Sequence, residues 1–378
     1  MKRLLLLLLC PLMACPKPPP PKPPDDQFIV TEPKPANKDD ASALSGEAKQ
    51  KMKDGTSAFE TGDYEKAAAL FEEANKLSPK NASVCFNLGL TYQALGKLDA
   101  AVAIFEEATR RKPDFAEAYN GWGSILIELD QADKGITALQ KALELQPKYF
   151  EAQYNLGEAY RAKDDLNKAK ESYLKAAKLS PGDADTQASI GGILLVQKDY
   201  QGAKEYLGKA AELSQQDPQI VLLYGQALEE GGDTPGAEKA YLSSIAKAEK
   251  LASTDDFYKS VASQGYYTLG NMRLDKNDLV GAEDAMKKWV VLSPKSAAAY
   301  GSLGIVQVKA KKNKEAEASF LKALELKPGA LSPSLSVGEL YLDQKKCADA
   351  KKHLTPALPK LDDKDKKADL EKRLSTCK

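Results

Sequence analysis

The sequence is poor in the residues that most often carry catalysis or hold metal ions. Histidine occurs once, as His353, so no second imidazole is available for a metal site or for acid–base chemistry. No two of the five cysteines have zinc-finger spacing, and no glycine-rich phosphate-binding motif is present. We therefore expect a protein that is not an enzyme and that uses no cofactor, no metal and no small-molecule substrate.

Excess charge and long apolar runs are also missing. The 54 basic and 54 acidic residues balance, so the chain has no broad basic field and nucleic acid is not expected as a partner. The apolar run at residues 4–9 is far shorter than the roughly 20 residues that span a bilayer. This run is therefore not predicted to be a transmembrane helix.

The chain contains instead a pattern that repeats every 34 residues, with one longer step of 45 residues. A glycine marks each copy: Gly55, Gly89, Gly123, Gly157, Gly191, Gly225, Gly270, Gly304 and Gly338. Twelve residues after each glycine stands a small residue, and four residues further stands a large apolar one. Small residues allow two antiparallel helices to approach, and we expect the large ones to fill the space between one helix pair and the next. The pattern predicts nine helical hairpins.

The segments Leu88-Gly89-x-x-Tyr92 and Leu156-Gly157-x-x-Tyr160, each followed by alanine, an aromatic residue and proline, resemble the tetratricopeptide repeat. The resemblance covers residues 46–361. It implies an all-α fold, a right-handed α-solenoid of about nine helix-turn-helix units. Residues 362–378, with Leu370 and Leu374 on one face, are expected to form the capping helix that covers the last apolar face.

The N-terminus has the composition of an export signal. Lys2 and Arg3 precede the apolar run, and residues 1–14 are predicted to be a signal peptide. The sequence from Leu12 to Cys15 resembles the bacterial lipobox, which implies cleavage before Cys15 and lipidation of that residue. An ordinary signal peptide cleaved nearby is the alternative. The resemblance implies the bacterial cell envelope, with a lipid anchor in the outer membrane facing the periplasm.

Residues 15–45 are predicted to be a lipidated, proline-rich, disordered tether, because they are rich in proline and charge and have little to bury. One short apolar segment, residues 28–31, interrupts this composition. It is either simply exposed or bound as an extended peptide in the concave groove of the repeats.

In the family that the chain resembles, the first helix of each unit lines a concave, peptide-binding face. Positions three before, one after and four after the glycine are then expected to face inward. With neighbouring amides, the predicted groove residues are Phe86, Asn87, Leu90, Asn120, Ser124, Tyr154, Asn155, Glu158, Arg161, Tyr267 and Asn271. Aromatic and amide side chains together suit an extended peptide, although any single aromatic residue could instead pack between helices.

The longer step before Gly270 contains eleven extra residues, about three helical turns. We expect an extended hairpin near residues 235–274, with Thr254 as the N-cap of its second helix. This hairpin is either a second partner site or tolerated extra length.

The cysteines are expected to have separate roles. Cys85 lies in an apolar helix position and is expected to be buried and free. Cys347 and Cys377 lie symmetrically about residue 362, where two antiparallel helices would bring them together. Because an exported location permits oxidation, a Cys347–Cys377 disulfide is predicted.

Two functions fit these features. The first is a non-catalytic, lipid-anchored periplasmic scaffold that binds protein or peptide segments and assists assembly of a cell-envelope complex. A protein with this function would be similar to repeat lipoproteins such as the pilotins of type IV pilus secretins. The second is a regulatory subunit that binds a peptidoglycan or an envelope enzyme. The sequence identifies no specific partner and no oligomeric state.

Overall fold

A computed structural model describes residues 44–252 and 255–377 of the chain. Within these ranges the regular elements are helices and no strand occurs, so the predicted all-α repeat architecture is confirmed. Between Ile193 and Leu194 the chain divides into two compact units, termed here the N-terminal unit and the C-terminal unit. The predicted signal peptide, the greater part of the tether and Cys15 lie outside the described residues.

The N-terminal unit is built from consecutive helical hairpins. Its helices are α1 (Gly46–Glu60), α2 (Tyr64–Leu77), α3 (Ala82–Ala94), α4 (Leu98–Arg111), α5 (Ala116–Glu128), α6 (Ala132–Leu145), α7 (Phe150–Ala162), α8 (Leu166–Leu179) and most of α9 (Ala184–Val196). Odd-numbered helices are the first helices of their hairpins, and even-numbered helices are the second.

The C-terminal unit continues the same alternation. Its helices are α10 (Tyr200–Leu213), α11 (Pro218–Glu230), α12 (Thr234–Leu251), α13 (Asp256–Asp275), α14 (Leu279–Leu292), α15 (Ala297–Lys309), α16 (Asn313–Leu326), α17 (Leu331–Asp343), α18 (Cys347–Ala357) and α19 (Lys364–Thr376), with a short 3-10 turn at Leu358–Lys360 before α19. Among the described residues, every helix is too short or too polar to traverse a lipid bilayer.

The repeated glycines mark the closest contacts within the hairpins. A Cβ atom added to Gly157 would lie 2.5 Å from Cε1 of Tyr173, and one added to Gly304 would lie 2.5 Å from Cε1 of Phe320. In each case the large apolar residue sixteen positions later in the same hairpin occupies the space that a side chain would need. The expectation that these large residues fill the space between successive hairpins was therefore incomplete. They pack first against the glycine of their own hairpin, and Phe105 also lies beneath Gly121 of the next one.

The turn that joins the two helices of each hairpin has a left-handed residue at one fixed position, seven residues after the repeated glycine. The residues with positive φ at this position are Gly62, Gly96, Asp130, Asp164, Lys198, Gly232, Asn277, Lys311 and Lys345. An L-residue in this conformation costs about 1–2 kcal/mol relative to its favoured regions, whereas glycine has no such penalty. The next residue is often an aspartate that caps the following helix, as when Asp199 Oδ1 accepts from the Gly202 N–H at 3.0 Å.

The extended hairpin consists of α12 and α13, which are 18 and 20 residues long, whereas the other paired helices have 11 to 15. The N-cap of α13 is Asp255, whose Oδ1 accepts from the Phe257 N–H at 2.8 Å. Thr254 was the expected N-cap, so that prediction was wrong by one residue, and Thr254 itself lies outside the described residues. The added turns are packed together, since the Tyr266 hydroxyl donates to Glu249 at 2.6 Å and Val261 lies in the same apolar cluster as Ile245.

At the C-terminus α19 covers the last hairpin. Leu370 is 1% exposed within the terminal apolar cluster, and Arg373 pairs with Asp343 at 2.7 Å. A disulfide joins Cys347 at the start of α18 to Cys377 directly after α19, with the two Cα atoms 5.5 Å apart. The covalent link therefore holds the end of the capping helix against the hairpin that it covers.

Among the described residues, the one cysteine outside the disulfide and the histidine both lie within the packing of the helices. Cys85 is buried and free, and its thiol donates to Asn75 Oδ1 at 3.5 Å. Burial raises the pKa of this thiol to about 11. His353 is half-buried with its ring 5.9 Å from that of Tyr341, and burial lowers its pKa.

Candidate functional site

The first helices of the N-terminal unit enclose a cavity of about 120 Å³. Its walls come from α3, α5 and α7 and from the start of α9, so successive hairpins each contribute one helix. The lining residues, termed here the N-terminal groove, are Phe86, Leu90, Gln93, Glu117, Asn120, Gly121, Ser124, Phe150, Glu151, Tyr154, Asn155, Asp183 and Asp185.

The structure brings together part of the set that the sequence predicts. Six of the predicted groove residues line this cavity: Phe86, Leu90, Asn120, Ser124, Tyr154 and Asn155. Five others do not line it: Asn87, Glu158, Arg161, Tyr267 and Asn271. The first three of these five still belong to the N-terminal unit, whereas Tyr267 and Asn271 lie on α13 of the C-terminal unit.

Aromatic side chains form the apolar part of the groove. Phe86 is 2% exposed, with its ring centroid 5.1 Å from that of Phe115, so it is a packing residue that forms the floor. Tyr154 and Phe150 are half-buried, with centroids 6.4 Å apart, and Tyr154 also packs on Tyr173 at 5.5 Å. Phe150 and Tyr154 therefore supply the aromatic surface that a bound chain can contact.

Amide side chains bridge neighbouring hairpins along the groove. Asn155 Nδ2 on α7 donates to Asn120 Oδ1 on α5 at 3.0 Å. Gln93 Nε2 on α3 donates to Glu128 Oε1 at 3.2 Å, and burial raises the pKa of that carboxyl group. These bonds hold the first helices at fixed spacing and orient the amide groups that face the cavity.

Asn87 occupies a position at which the partner amide on the preceding first helix is missing. It stands at the same repeat position as Asn155, but the residue 35 positions earlier is Met52, where Asn155 has Asn120. Asn87 is 1% exposed, and neither of its amide atoms has a hydrogen-bond partner among the described residues. A buried amide without partners costs about 1–3 kcal/mol, and at this position the described residues form no bridge like that of Asn155 to Asn120.

Carboxylates complete the groove, and the sequence analysis did not include them. Glu117, Glu151 and Asp185 occupy the same position in three successive repeats, six residues before the glycine. Asp183 also lines the cavity and accepts from the Thr186 N–H at 2.8 Å. Among the residues that the structure describes, no lysine or arginine lines the cavity. After burial, the nearby carboxylates of Glu158, Asp185 and Asp183 help to raise the pKa of Tyr154, as expected in a negative field.

The signal for these acids was present as their shared repeat position. An acidic residue in the first turn of a helix is common because it interacts favourably with the helix dipole. That ordinary explanation gives no indication of a shared location, and only the cavity shows that the three first turns face the same space. No three carboxylate, imidazole or thiol groups in the part of the chain that the structure describes are arranged to hold a metal ion.

Glu158 and Arg161 take part in a local network. The Arg161 guanidinium donates to both carboxylate oxygens of Glu158, and the buried Tyr173 hydroxyl donates to the same carboxylate. Tyr173 lies on α8, so the network joins the two helices of the fourth hairpin. These residues do not line the cavity, but their network stabilises the hairpin that forms its wall.

Tyr267 and Asn271 are half-buried on the extended helix α13. The Tyr267 ring lies 5.0 Å from that of Trp289, which replaces the small residue found at the equivalent position of the other repeats. The one large residue at that position thus packs against the tilted ring of Tyr267.

Known families match much of the array. Models described as tetratricopeptide repeat or TPR repeat match residues 58–121, 123–164, 150–183, 191–252 and 297–329. No curated protein matches the chain in sequence.

Solved structures share the fold at low sequence identity. PilF of Pseudomonas aeruginosa has a TM-score of 0.51 and 19% identity, and the match covers 60% of this chain and 100% of PilF. PilW, described as a widely conserved type IV pilus biogenesis factor, has a TM-score of 0.50, 20% identity and coverage of 57% and 99%. A chain of the APC/C hetero-tetramer Cut9–Hcn1 has a TM-score of 0.51, 16% identity and coverage of 73% and 52%.

Stacked helical hairpins of this kind present extended concave surfaces that bind other proteins. The family matches together cover more than half of the sequence, and the helical hairpins follow the repeat throughout the described residues. The chain belongs to the tetratricopeptide repeat family.

Proposed function

We propose that the protein is a non-catalytic scaffold, held at the bacterial cell envelope by lipid on Cys15, that binds an extended segment of a protein from an envelope complex. The segment binds in the N-terminal groove. The observation that carries this proposal is the combination, in one cavity, of the half-buried rings of Phe150 and Tyr154 with amide and carboxylate groups from four successive first helices.

The groove has the chemistry that an extended peptide requires. Half-buried aromatic rings offer apolar contacts for side chains, while Asn120, Ser124 and Asn155 offer hydrogen-bonding groups for the peptide backbone. Because each group is fixed by helix packing, little ordering is needed when a peptide binds, which favours affinity. The presence of a single histidine in the sequence supports a role other than catalysis.

The location rests on the sequence of the N-terminus. A basic start, a short apolar run and the lipobox-like sequence before Cys15 support export and lipidation. The likeness of the fold to PilF and to PilW, a type IV pilus biogenesis factor, supports a complex of the cell envelope as the setting.

A pull-down from solubilised membranes tests the proposal. The lipidated protein should recover a stoichiometric envelope protein, and Tyr154→Ala should reduce that recovery at least tenfold. Tyr300→Ala, which removes another half-buried tyrosine on α15 outside the groove, is the matched control and should leave recovery unchanged. Equal recovery with both variants would show that the partner does not use the groove. Recovery of an envelope enzyme as the partner would identify the protein as its regulatory subunit.

Mass spectrometry of the mature N-terminus tests the anchor. The proposal requires acyl groups on Cys15, and a mature chain that begins elsewhere without lipid would remove the membrane part of the proposal.

A further inference from the structure

The capping helix α19 has few noncovalent contacts with the hairpin that it covers. Leu370 is the buried residue of this helix, Leu374 is half-buried against the same apolar cluster, and most of its other side chains lie at the surface. The ion pair from Arg373 to Asp343 joins side chains that are 36% and 66% exposed, and exposed ion pairs contribute little to stability. A helix of 13 residues is marginally stable by itself in water. We therefore expect α19 to depend strongly on its covalent link to α18.

This link can be reached from solvent. Cys347 and Cys377 are both half-buried, and both line an open cavity of about 420 Å³ at the surface of the C-terminal unit. The other lining residues are Leu342, Lys345, Arg373 and Thr376. A disulfide is reduced when a thiolate approaches one of its sulfur atoms, so access to the sulfur decides whether exchange occurs. The cavity gives a small thiol, or the end of a cysteine side chain, a path to this pair.

The charge around the cavity favours the attacking group. Thiol–disulfide exchange proceeds through the thiolate, which is an anion. Lys345 and Arg373 both line the cavity, and positive charge raises the local concentration of an approaching anion. Because Arg373 is already paired with Asp343, Lys345 is expected to contribute the larger part of this attraction.

The two sulfur atoms differ as leaving groups. Cys347 is the first residue of α18, whereas Cys377 follows the last turn of α19. A thiolate is stabilised at a helix N-terminus and beside lysine. Lys345 and Lys346 precede Cys347 and Asp349 follows it, so the net charge within three residues is also positive. The sulfur of Cys347 is therefore the better leaving group.

We propose that Cys347–Cys377 is a site of reversible thiol–disulfide exchange, at which a dithiol reductant enters through this cavity and releases the capping helix. The thiolate of the reductant attacks Sγ of Cys377, the S–S bond breaks, and its electron pair leaves on Sγ of Cys347, which takes a proton from water. The second thiol of the reductant then attacks its own sulfur in the mixed disulfide and releases Cys377. The protein gains two electrons and two protons, and the reductant becomes an internal disulfide.

Reduction changes which surface of the C-terminal unit is covered. Leu370 belongs to the apolar cluster of the last hairpin, together with Leu354 and Leu358. A disulfide with a sequence separation of 30 residues favours the closed arrangement by roughly 30- to 700-fold. Without the link, α19 withdraws more often, and apolar surface of the last hairpin becomes accessible. The redox state of this pair thus controls the end of the repeat array, independently of the N-terminal groove.

Thiol labelling of the full-length protein tests whether the site is accessible. In native buffer with dithiothreitol, a maleimide should label both Cys347 and Cys377, identified by peptide mapping, while the buried Cys85 stays unlabelled. Removing the reductant and adding oxidised glutathione should restore the link. If Cys347 and Cys377 react only after the protein is denatured, the pair is a closed structural disulfide and the proposal is overturned.

Hydrogen exchange read by mass spectrometry tests the release of the helix. Reduction should speed amide exchange in α19 at least tenfold and leave α15 unchanged. The C347S/C377S variant should exchange in α19 like the reduced protein, with or without dithiothreitol, which assigns the effect to this link. Equal exchange of α19 in the oxidised and reduced proteins would contradict its release.

The route of attack has its own matched pair of variants. K345E should slow reduction by dithiothreitol at least threefold at low salt, because it places a negative charge in the cavity. K351E changes an exposed lysine of α18 outside the cavity and should leave the rate unchanged. With glutathione as the reductant, the mixed disulfide should form on Cys377. Equal rates for the two variants, or an adduct on Cys347 alone, would refute this route.

Discussion

Replacing Gly157 by alanine should destabilise the N-terminal unit far more than a glycine-to-alanine change usually does. The new Cβ would lie 2.5 Å from Cε1 of Tyr173, well inside the ordinary contact distance. The Tyr173 side chain is fully buried and its hydroxyl donates to Glu158, so the ring cannot swing away without losing both its packing and its hydrogen bond.

The magnitude follows from two opposing terms. Overpacking a well-packed core costs about 1–3 kcal/mol, and a contact this close with a fully buried ring belongs at the upper end. Alanine gains about 1 kcal/mol over glycine inside a helix. The net loss is therefore about 2 kcal/mol. With a denaturant dependence of about 2 kcal/mol per molar urea, the unfolding midpoint should fall by roughly 1 M.

Gly192→Ala is the matched control. Gly192 also lies inside a first helix, α9, but a Cβ there would meet nothing within 4 Å. Only the helix-propensity gain remains, so this variant should be more stable by about 0.5–1 kcal/mol. The assay is urea unfolding of the full-length protein followed by circular dichroism. If Gly157→Ala and Gly192→Ala shift the midpoint in the same direction, the packing explanation of the repeated glycines is wrong.

Three further predictions concern the turns and the cysteines. Lys198 has a φ of 61°, so Lys198→Gly should raise the free energy of unfolding by about 1 kcal/mol, and an unchanged urea midpoint would refute the strain argument. Cys377→Ser should lower stability by about 2–4 kcal/mol and speed amide exchange in α19 before any other helix, because the disulfide closes a loop with a sequence separation of 30 residues. Burial raises the pKa of Cys85 to about 11, so between pH 9 and 11 the folded protein keeps a proton that the unfolded chain releases. The free energy of unfolding should therefore fall as the pH rises from about 9 to 11. Cys85→Ala should remove this contribution to the pH dependence of the free energy of unfolding.

Much of the fold could be predicted because the repeat is encoded at every copy. The period of 34 residues fixes the hairpins, and the eleven extra residues before Gly270 indicate that α12 and α13 are longer than their neighbours. The contact of Gly157 with Tyr173 could not be assigned in this way. The pattern shows that one residue is small and the other large, but several packings satisfy that rule, and the chosen one depends on how the two helices cross.

The turn geometry was missed for a related reason. The left-handed position holds glycine, aspartate, asparagine and lysine in different repeats, and lysine at Lys198 gives no indication of a positive φ. Aligning the nine copies would have shown glycine, asparagine or aspartate at six of the nine turns, which is the expected composition for this conformation. The indication of a positive φ is visible only when the same position is compared across all nine copies of the repeat, and not in any single copy.

The acidic residues of the groove illustrate how the two units differ in chemistry while sharing a fold. Six positions before the repeated glycine, the third to fifth repeats have Glu117, Glu151 and Asp185. The same position in the four later repeats is occupied by the uncharged residues Gln219, Gln264, Ala298 and Ser332. If these acids served only to interact with the helix dipole, nothing would confine them to three neighbouring repeats, because every first helix has the same dipole. Their confinement to the hairpins that enclose one cavity is what a binding role requires. On this argument, a role of these acids in binding belongs to the proposed groove of the N-terminal unit.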